Sequence, residues 1–511
     1  MQPWPHDPLP PLATRDRVTD AVLVVFCGIV QAAALALGAF ATRDAFAALH
    51  GGSYLAIGTL LELALAGVLT ALCLFTSGCR AERLGQSYAI DLRHALYARI
   101  AGLPKSRHEQ RRVGALSLRF VGDLSAARLW FGQGLPGVLS ACVVLPGAVA
   151  ILFALSPALS LRGLVPLAIA LMVMTAAAWH LERRHHRLRR RRAGIAISMI
   201  ERIAIAPELD VMGRTDVELR RLDEQGARLR DDAVARRGRT VGLQALLQAG
   251  TAASGLTILW QASVLGVAPA LVAASLSVLA LIALPLQHLG AAWDQYCAWR
   301  VAREKAQALL REPTLPRARR RAKSPVCVEV TGTLDDRQIA FSAAGSCLTH
   351  LSGPDSHHLA RIIAGLDHPE TVDLRFNGMT DRPGVAYIGD DHIGLQGSLR
   401  RSATLMNRKR PGDRRIIETL TAFGLGDLLA SGGLDQRLAE NGKGLCAAQL
   451  LRLDLVRAVL GKTDVIVIAS LRWLVETEKD QLLAALQNHS TATLLLADTS
   501  DISTTTKPGA L

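Results

Sequence analysis

Aromatic residues make up only 4% of the 511-residue chain, and its eight cysteines are scattered, with no C-x-x-C pair and no histidines at zinc-ligand spacing. A structural zinc module and a disulfide scaffold are therefore poor readings. Glycine and proline follow no fixed period, which argues against a fibrous protein. What is plentiful is apolar: half of all positions are hydrophobic, in runs of Ala, Leu, Val and Gly, and the mean hydropathy is +0.25. That content excludes disorder as the main state, and the length excludes a single small module. A formal charge of +14 fits either a nucleic-acid binder or a membrane protein whose basic residues gather on one face, so the placement of charge must decide.

Six stretches are long and apolar enough to span a bilayer: 20–41, 53–78, 133–155, 161–179, 243–264 and 268–289. The weakest are 243–264, with Gln244, Gln248 and Gln261, and 53–78, with Glu62. Glu62 either lines a path through the membrane or sits near a helix end, paired with the bundle or water. No cleavage site follows the first stretch cleanly, so it reads as a retained anchor. The connections 42–52 and 156–160 carry one Arg between them, Arg43, whereas 79–132 and 180–242 carry 10 and 16 Arg or Lys. By the positive-inside rule the two long segments, and with them both termini, are cytoplasmic. The run 182–192 (ERRHHRLRRRR) directly follows a span and suits anionic lipid headgroups better than nucleic acid. Segments 85–104 and 198–237 keep helical character beyond the membrane, and a basic, Pro-containing linker occupies 312–325.

From Val326 the pattern changes. Segments 326–332, 371–376, 385–389, 463–470 and 491–498 read as short strands, and 356–366, 414–425, 445–461 and 477–487 as helices. That alternation predicts an α/β domain with a mainly parallel sheet.

On these residues the chain resembles an exporter-type ABC transporter half. GQSYAIDLRHALYARIAGLP (85–104) is similar to the helix leading to the first coupling segment. VGALSLRFVGDLSAARLW (113–130) resembles the family's Gly-x-x-x-x-Arg…Asp stretch, and ERIAIAPELDVMGR (201–214) the second coupling region. The resemblance implies a membrane α-helical domain of six spans, the ABC exporter type-1 fold, followed by a cytoplasmic α/β P-loop-like cassette. The divisions are 1–16 tail, 17–311 transmembrane domain, 312–325 linker, 326–500 cassette and 501–511 tail.

The cassette outline is present while its chemistry departs from the family's. A phosphate loop needs glycines, then a Lys and a Ser or Thr hydroxyl. In HLSGPDSHHLARIIAGL (350–366) only Gly353 remains of the glycines; Ser356 stands at the lysine position, and His357 and His358 at the hydroxyl pair. Asp355 places a carboxylate where phosphates would lie. Asp390 takes the place of the switch glutamine. In the signature helix Gln449, Arg452 and Arg457 match, but Cys446, Ala447 and Ala448 replace the serine and two glycines that receive the other subunit's γ-phosphate. Ala469 and Ser470 replace the Asp-Glu at the end of the hydrophobic strand, and Asp498 the switch histidine.

The implied function is a non-catalytic subunit of an ABC exporter-like complex in the bacterial inner membrane. It supplies half of the pathway and pairs as a heterodimer with a second half-transporter whose ATPase domain is more intact. No catalytic, metal or cofactor residue is expected in this chain, and ATP and magnesium belong to the partner. The alternative is a membrane-anchored regulatory or assembly protein with an inactive cassette. The pairs His185/His186 and His357/His358 lack an acidic ligand cluster, and Ser470 lacks a triad partner, so neither a metal site nor a hydrolase is expected.

Overall fold

The computed structural model describes residues 9–109, 119–176, 194–195, 198–199, 202–203, 205–315, 325–334, 336–353, 355–380, 382–407, 409–439 and 442–497. The chain divides into two compact units, Met1–Ala101 with Arg111–Glu312, and Gly102–Gln110 with Pro313–Leu511.

The first unit is helical. Its long helices are α1 (Arg15–His50), α2 (Ile57–Ile100), α4 (Leu124–Leu155), α5 (Pro157–Ala176), α7 (Thr215–Leu265) and α8 (Pro269–Leu310), with a short α6 (Ala206–Val211); α3 (Lys105–Glu109) belongs to the second unit. Among the described residues five helices, α1, α2, α4, α5 and α8, are long and apolar enough to cross a membrane. The predicted fifth stretch, 243–264, is helical as the C-terminal part of α7 but falls short of that standard, diluted by its three glutamines. The basic run 182–192, with His185 and His186, lies outside the described residues.

Hydrophobic faces point both ways, as they must where lipid rather than water surrounds a bundle. Leu35, Val144, Leu152, Ile258, Val278 and Ile282 form the interior, while Phe75 and Met172, each 70% exposed, turn outward with Phe26, Ile169 and Trp260. Glu62 is exposed in the second turn of α2. Glycine lets two helices touch: a Cβ on Gly85 would lie 2.6 Å from Arg128 O and from Gly132 Cα. Beside that crossing, α4 passes through a π turn (Trp130–Gly134), and Trp299 meets Tyr88 and Phe131 edge-on (ring centroids 5.7 and 5.4 Å apart) while those two rings lie tilted at 4.0 Å. Pro166 cannot return an amide hydrogen to the Arg162 carbonyl, and α5 breaks into a turn at Leu164; the next amide, that of Leu167, donates to the buried Ser254 hydroxyl at 3.1 Å. Buried Arg17 ties α1 to α2 through the Ser87 carbonyl (3.0 Å) and Asp91.

The second unit carries three sheets. The parallel one runs β3 (Leu348–Leu351), β9 (Thr493–Ala497), β8 (Val465–Ile468), β5 (Val385–Ile388). An antiparallel sheet has β1 (Val328–Leu334) between β2 (Arg337–Ala343) and β4 (Val372–Phe376), and β6 (Gly397–Ser398) pairs with β7 (Arg437–Leu438). The expected mainly parallel sheet is thus corrected: strands predicted at 326–332 and 371–376 join the antiparallel layer. The reason is local. Only two residues join β1 to β2, with Asp336 at φ 64°, and so short a link cannot make the crossover that parallel pairing requires.

Helices α9 (Ser356–Ile363), α10 (Leu399–Ala403), α11 (Asp413–Ala422), α12 (Gly426–Gly432), α13 (Ala447–Leu460) and α14 (Glu476–His489) complete the unit. All four residues of β8 are buried, on alternate faces: Ile466 and Ile468 pack in the layer containing Leu451 and Leu455 of α13, Val465 and Val467 in that containing Leu359 and Ile362 of α9. A strand covered on both faces reads as an unbroken apolar run, which is why it was visible in the sequence.

Candidate functional site

In an open parallel sheet, loops beyond the carboxyl ends of the strands are where ligands are held. Here those ends are Leu351, Ile388, Ile468 and Ala497. After β3 the chain turns at Gly353, whose φ of 108° only glycine adopts without strain, and no atom lies within 4 Å of where its Cβ would be. The Ser356 amide donates to the Gly353 carbonyl at 3.1 Å, closing the turn into α9, and the Ser356 residue is 4% exposed. Asp355 faces Arg337 of β2 at 3.7 Å. His357 keeps a buried Nε2 with no hydrogen-bond partner, and among the described residues no cluster of three His, Cys, Asp or Glu is arranged to hold a metal.

After β5, Asp390 is paired: Arg472 Nε lies 3.0 Å from its Oδ1, and the same guanidinium stacks 4.7 Å over the Trp473 ring. After β8, Ala469 and Ser470 are buried, and the Ala469 amide donates to the Ile388 carbonyl at 2.7 Å. The structure therefore brings Gly353, Ser356, Asp390, Ala469 and Ser470 to one edge of one sheet. Cys446, Ala447, Ala448 and Gln449 sit instead at the first turn of α13, where the Gln449 side chain turns back to accept the Cys446 amide at 3.0 Å. Asp498 lies outside the described residues.

Behind the edge is a buried charged group. Arg457, 2% exposed, pairs with Asp454 (2.5 Å) and donates to the Ser402 (2.8 Å) and Ile393 (2.7 Å) carbonyls, while His392 Nδ1 meets the other Asp454 oxygen at 3.0 Å. Burial lowers the Arg457 pKa, and Asp454 opposes that shift. The group locks the loop after β5 to α10 and α13.

A second polar cluster holds α3. The Lys105 amide donates to the Leu366 carbonyl (2.7 Å), and the Ser106 amide (3.1 Å) and hydroxyl (2.7 Å) both donate to Asp367 Oδ1. Arg361 bridges Asp367 and Glu109, each at 3.0 Å, and Lys105 Nζ reaches Asp391 at 2.8 Å. The hydrogen bond from Lys105 holds the Asp391 carboxyl below the usual range. Burial lowers the Arg361 pKa, but Glu109 and Asp367 more than reverse the effect. Burial pushes the Tyr387 phenol up, although Arg361 pulls it down. Sequence reasoning found the helix leading into α3 but missed Asp367, Arg361, Asp391 and Arg472. Each partner pair is separated by 82 or more positions, apart from Arg361 and Asp367, and no local spacing marks them.

With this geometry in view, the chain can be set beside known proteins. Residues 21–283 match the family described as ABC transporter transmembrane region. A stretch of 95 residues is 30% identical to the uncharacterized ABC transporter ATP-binding protein YknV of Bacillus subtilis (strain 168); it covers 19% of this chain and only 16% of that protein's length. A solved bacterial Atm1-family ABC exporter with ATP bound shares the fold, with a TM-score of 0.75 over 95% of this chain and 91% of its own, at 16% identity.

Proposed function

We propose a function from one premise: the chain belongs to the ABC transporter transmembrane-region family. It acts as one half of an exporter-type complex, its first unit lining half of the pathway. Its second unit transmits motion generated by ATP hydrolysis on a partner half-transporter. The basic residues of segments 79–132 and 180–242 support a cytoplasmic side for that second unit and both termini.

The observation that carries the inactive-cassette reading is the Asp390–Arg472 pair beside buried Ala469 and Ser470. Magnesium-ATP needs acceptor oxygens for the metal and cationic donors for the phosphates. At this sheet edge Asp390 and Asp355 are each already paired with an arginine, and Ala469 has no oxygen on its side chain. The residues present do not fit the nucleotide. Transmission instead runs through α3, fixed to the second unit by Asp367, Arg361 and Asp391. The exposed apolar side chains at the end of α6, Val211 at 89% and Met212 at 69%, are surface that a second subunit would cover.

Affinity purification of the full chain in mild detergent, with photolabelling by azido-ATP and magnesium, tests this reading. The expected result is a co-purifying half-transporter that takes the label and hydrolyses ATP, with no saturable label on this chain. Magnesium-dependent hydrolysis by the isolated chain overturns it. Turnover that persists unchanged when this chain is removed points to the regulatory or assembly role instead.

A further inference from the structure

A cleft of about 730 Å³ opens in the second unit between the C-terminal end of α9 and strands β1 and β4, within the size range of small-molecule sites. Ile362, Val372, Leu374 and Phe376 give it an apolar wall, and Arg382 supplies a cation. The sheet edge described above adjoins the opposite, N-terminal end of α9, so the cleft is a separate place on the unit.

Arg382 is half-buried, and its guanidinium lies against the backbone of Gly365, which at φ 62° leaves no room there for a Cβ. One of its nitrogens donates to the Ala364 carbonyl at the end of α9. Among the described residues no carboxylate pairs with it, and none of its other nitrogens is sealed from solvent. Burial lowers its pKa, and no carboxylate opposes the shift, unlike those of Arg361 and Arg457. The acids of the cleft do not serve it: Asp367 is held by Ser106 and Arg361, Asp373 pairs with Arg375 at 2.8 Å, and Glu370 is exposed. A half-buried cation with open donors and no counter-ion is stabilised by an anion, and a guanidinium fork matches the two oxygens of a carboxylate. A second negative charge on the ligand would meet Glu370 with nothing to offset it.

We infer that this cleft is a binding site for a small organic monoanion, a carboxylate on an apolar body. Its oxygens take the open N–H groups of Arg382, and its body rests on Ile362, Leu374 and Phe376. The site belongs to the second unit alone and stands whether or not the first unit lines a transport path.

The test uses the full chain in mild detergent. Phenylglyoxal, which modifies accessible guanidinium groups, is applied with and without benzoate, phenyl phosphate or neutral benzamide, and the adducts are located by mass spectrometry. Near saturation benzoate is expected to lower the Arg382 adduct by at least about fivefold, with no protection of Arg414, whose side chain is 93% exposed, and none by benzamide. In equilibrium dialysis with radiolabelled benzoate, Arg382→Gln weakens binding by about tenfold or more, the range of a charge-assisted hydrogen bond. Thr380→Trp, at an exposed position of the lining, narrows the cleft and weakens binding with Arg382 in place. Glu370→Gln tightens binding by about two- to fivefold at low salt, a gain that a misfolded variant cannot produce. No saturable protection of Arg382, equal protection by benzamide, or benzoate binding indifferent to Arg382→Gln or to Thr380→Trp overturns the site. Tighter binding of phenyl phosphate than of benzoate, or no gain in Glu370→Gln, overturns the monoanion as its ligand class.

Discussion

Asp454 serves two groups at once, the Arg457 guanidinium on one oxygen and the His392 ring on the other. Asp454→Asn keeps the shape and removes the charge, leaving Arg457 buried without its counter-ion. Breaking a buried pair from one side typically costs about 3–5 kcal/mol, so thermal unfolding of the second unit in detergent should shift down by several degrees or more. An unchanged melting curve would show that the Ser402 and Ile393 carbonyls suffice for Arg457. The sequence marked Arg457 only through its resemblance to a signature helix. Its dependence on Asp454, one helical turn away, follows from α13 being buried along most of its length. The Asp390–Arg472 pair was not legible at all, because an ion pair between two loops leaves no periodic trace in either.

At the level of elements, α3 hangs on Asp367 more than on any other single side chain. Two donors of Ser106 and the guanidinium of Arg361 converge on its carboxylate, which is 7% exposed. Asp367→Ala should therefore raise amide exchange over residues 105–109 by about tenfold or more, read by hydrogen-exchange mass spectrometry of the full chain, with little change in the core strands β8 and β9. Lys105–Asp391 contributes less. Asp391 is 76% exposed on its side chain, so the pair is worth within about 1 kcal/mol. Because its folded pKa is depressed, that contribution is present above the ordinary carboxylate pKa of about 3.9 and is lost only as pH falls through the lower folded value. The longer helices and the parallel strands β5, β8 and β9 were readable because hydrophobic spacing is a local signal, whereas the four-residue, partly exposed β3 and the short helices α10 and α12 were not predicted. Strand β2 was not predicted: its exposure pattern alternates only weakly, and it exists as the return of a two-residue turn.

For the whole molecule, the charge asymmetry is a statement about sidedness. Ser53→Cys lies in the loop between α1 and α2, and Glu208→Cys in α6. In a background without native cysteines, a membrane-impermeant thiol reagent applied to intact cells should label position 53 at once and position 208 only after permeabilisation. The reverse pattern would invert the topology. The fifty-one residues of α7 add a mechanical consequence. At 1.5 Å per residue the helix is about 75 Å long, so if a hydrocarbon layer of about 30 Å holds one end, about 45 Å projects beyond it. A tilt of about 5° in the held portion displaces the free end by about 4 Å, comparable to one turn of helix. The helix is a lever arm whose gain is set by its length, and insertions or deletions in 215–242 would change the gearing between the two ends without altering a single residue of the second unit.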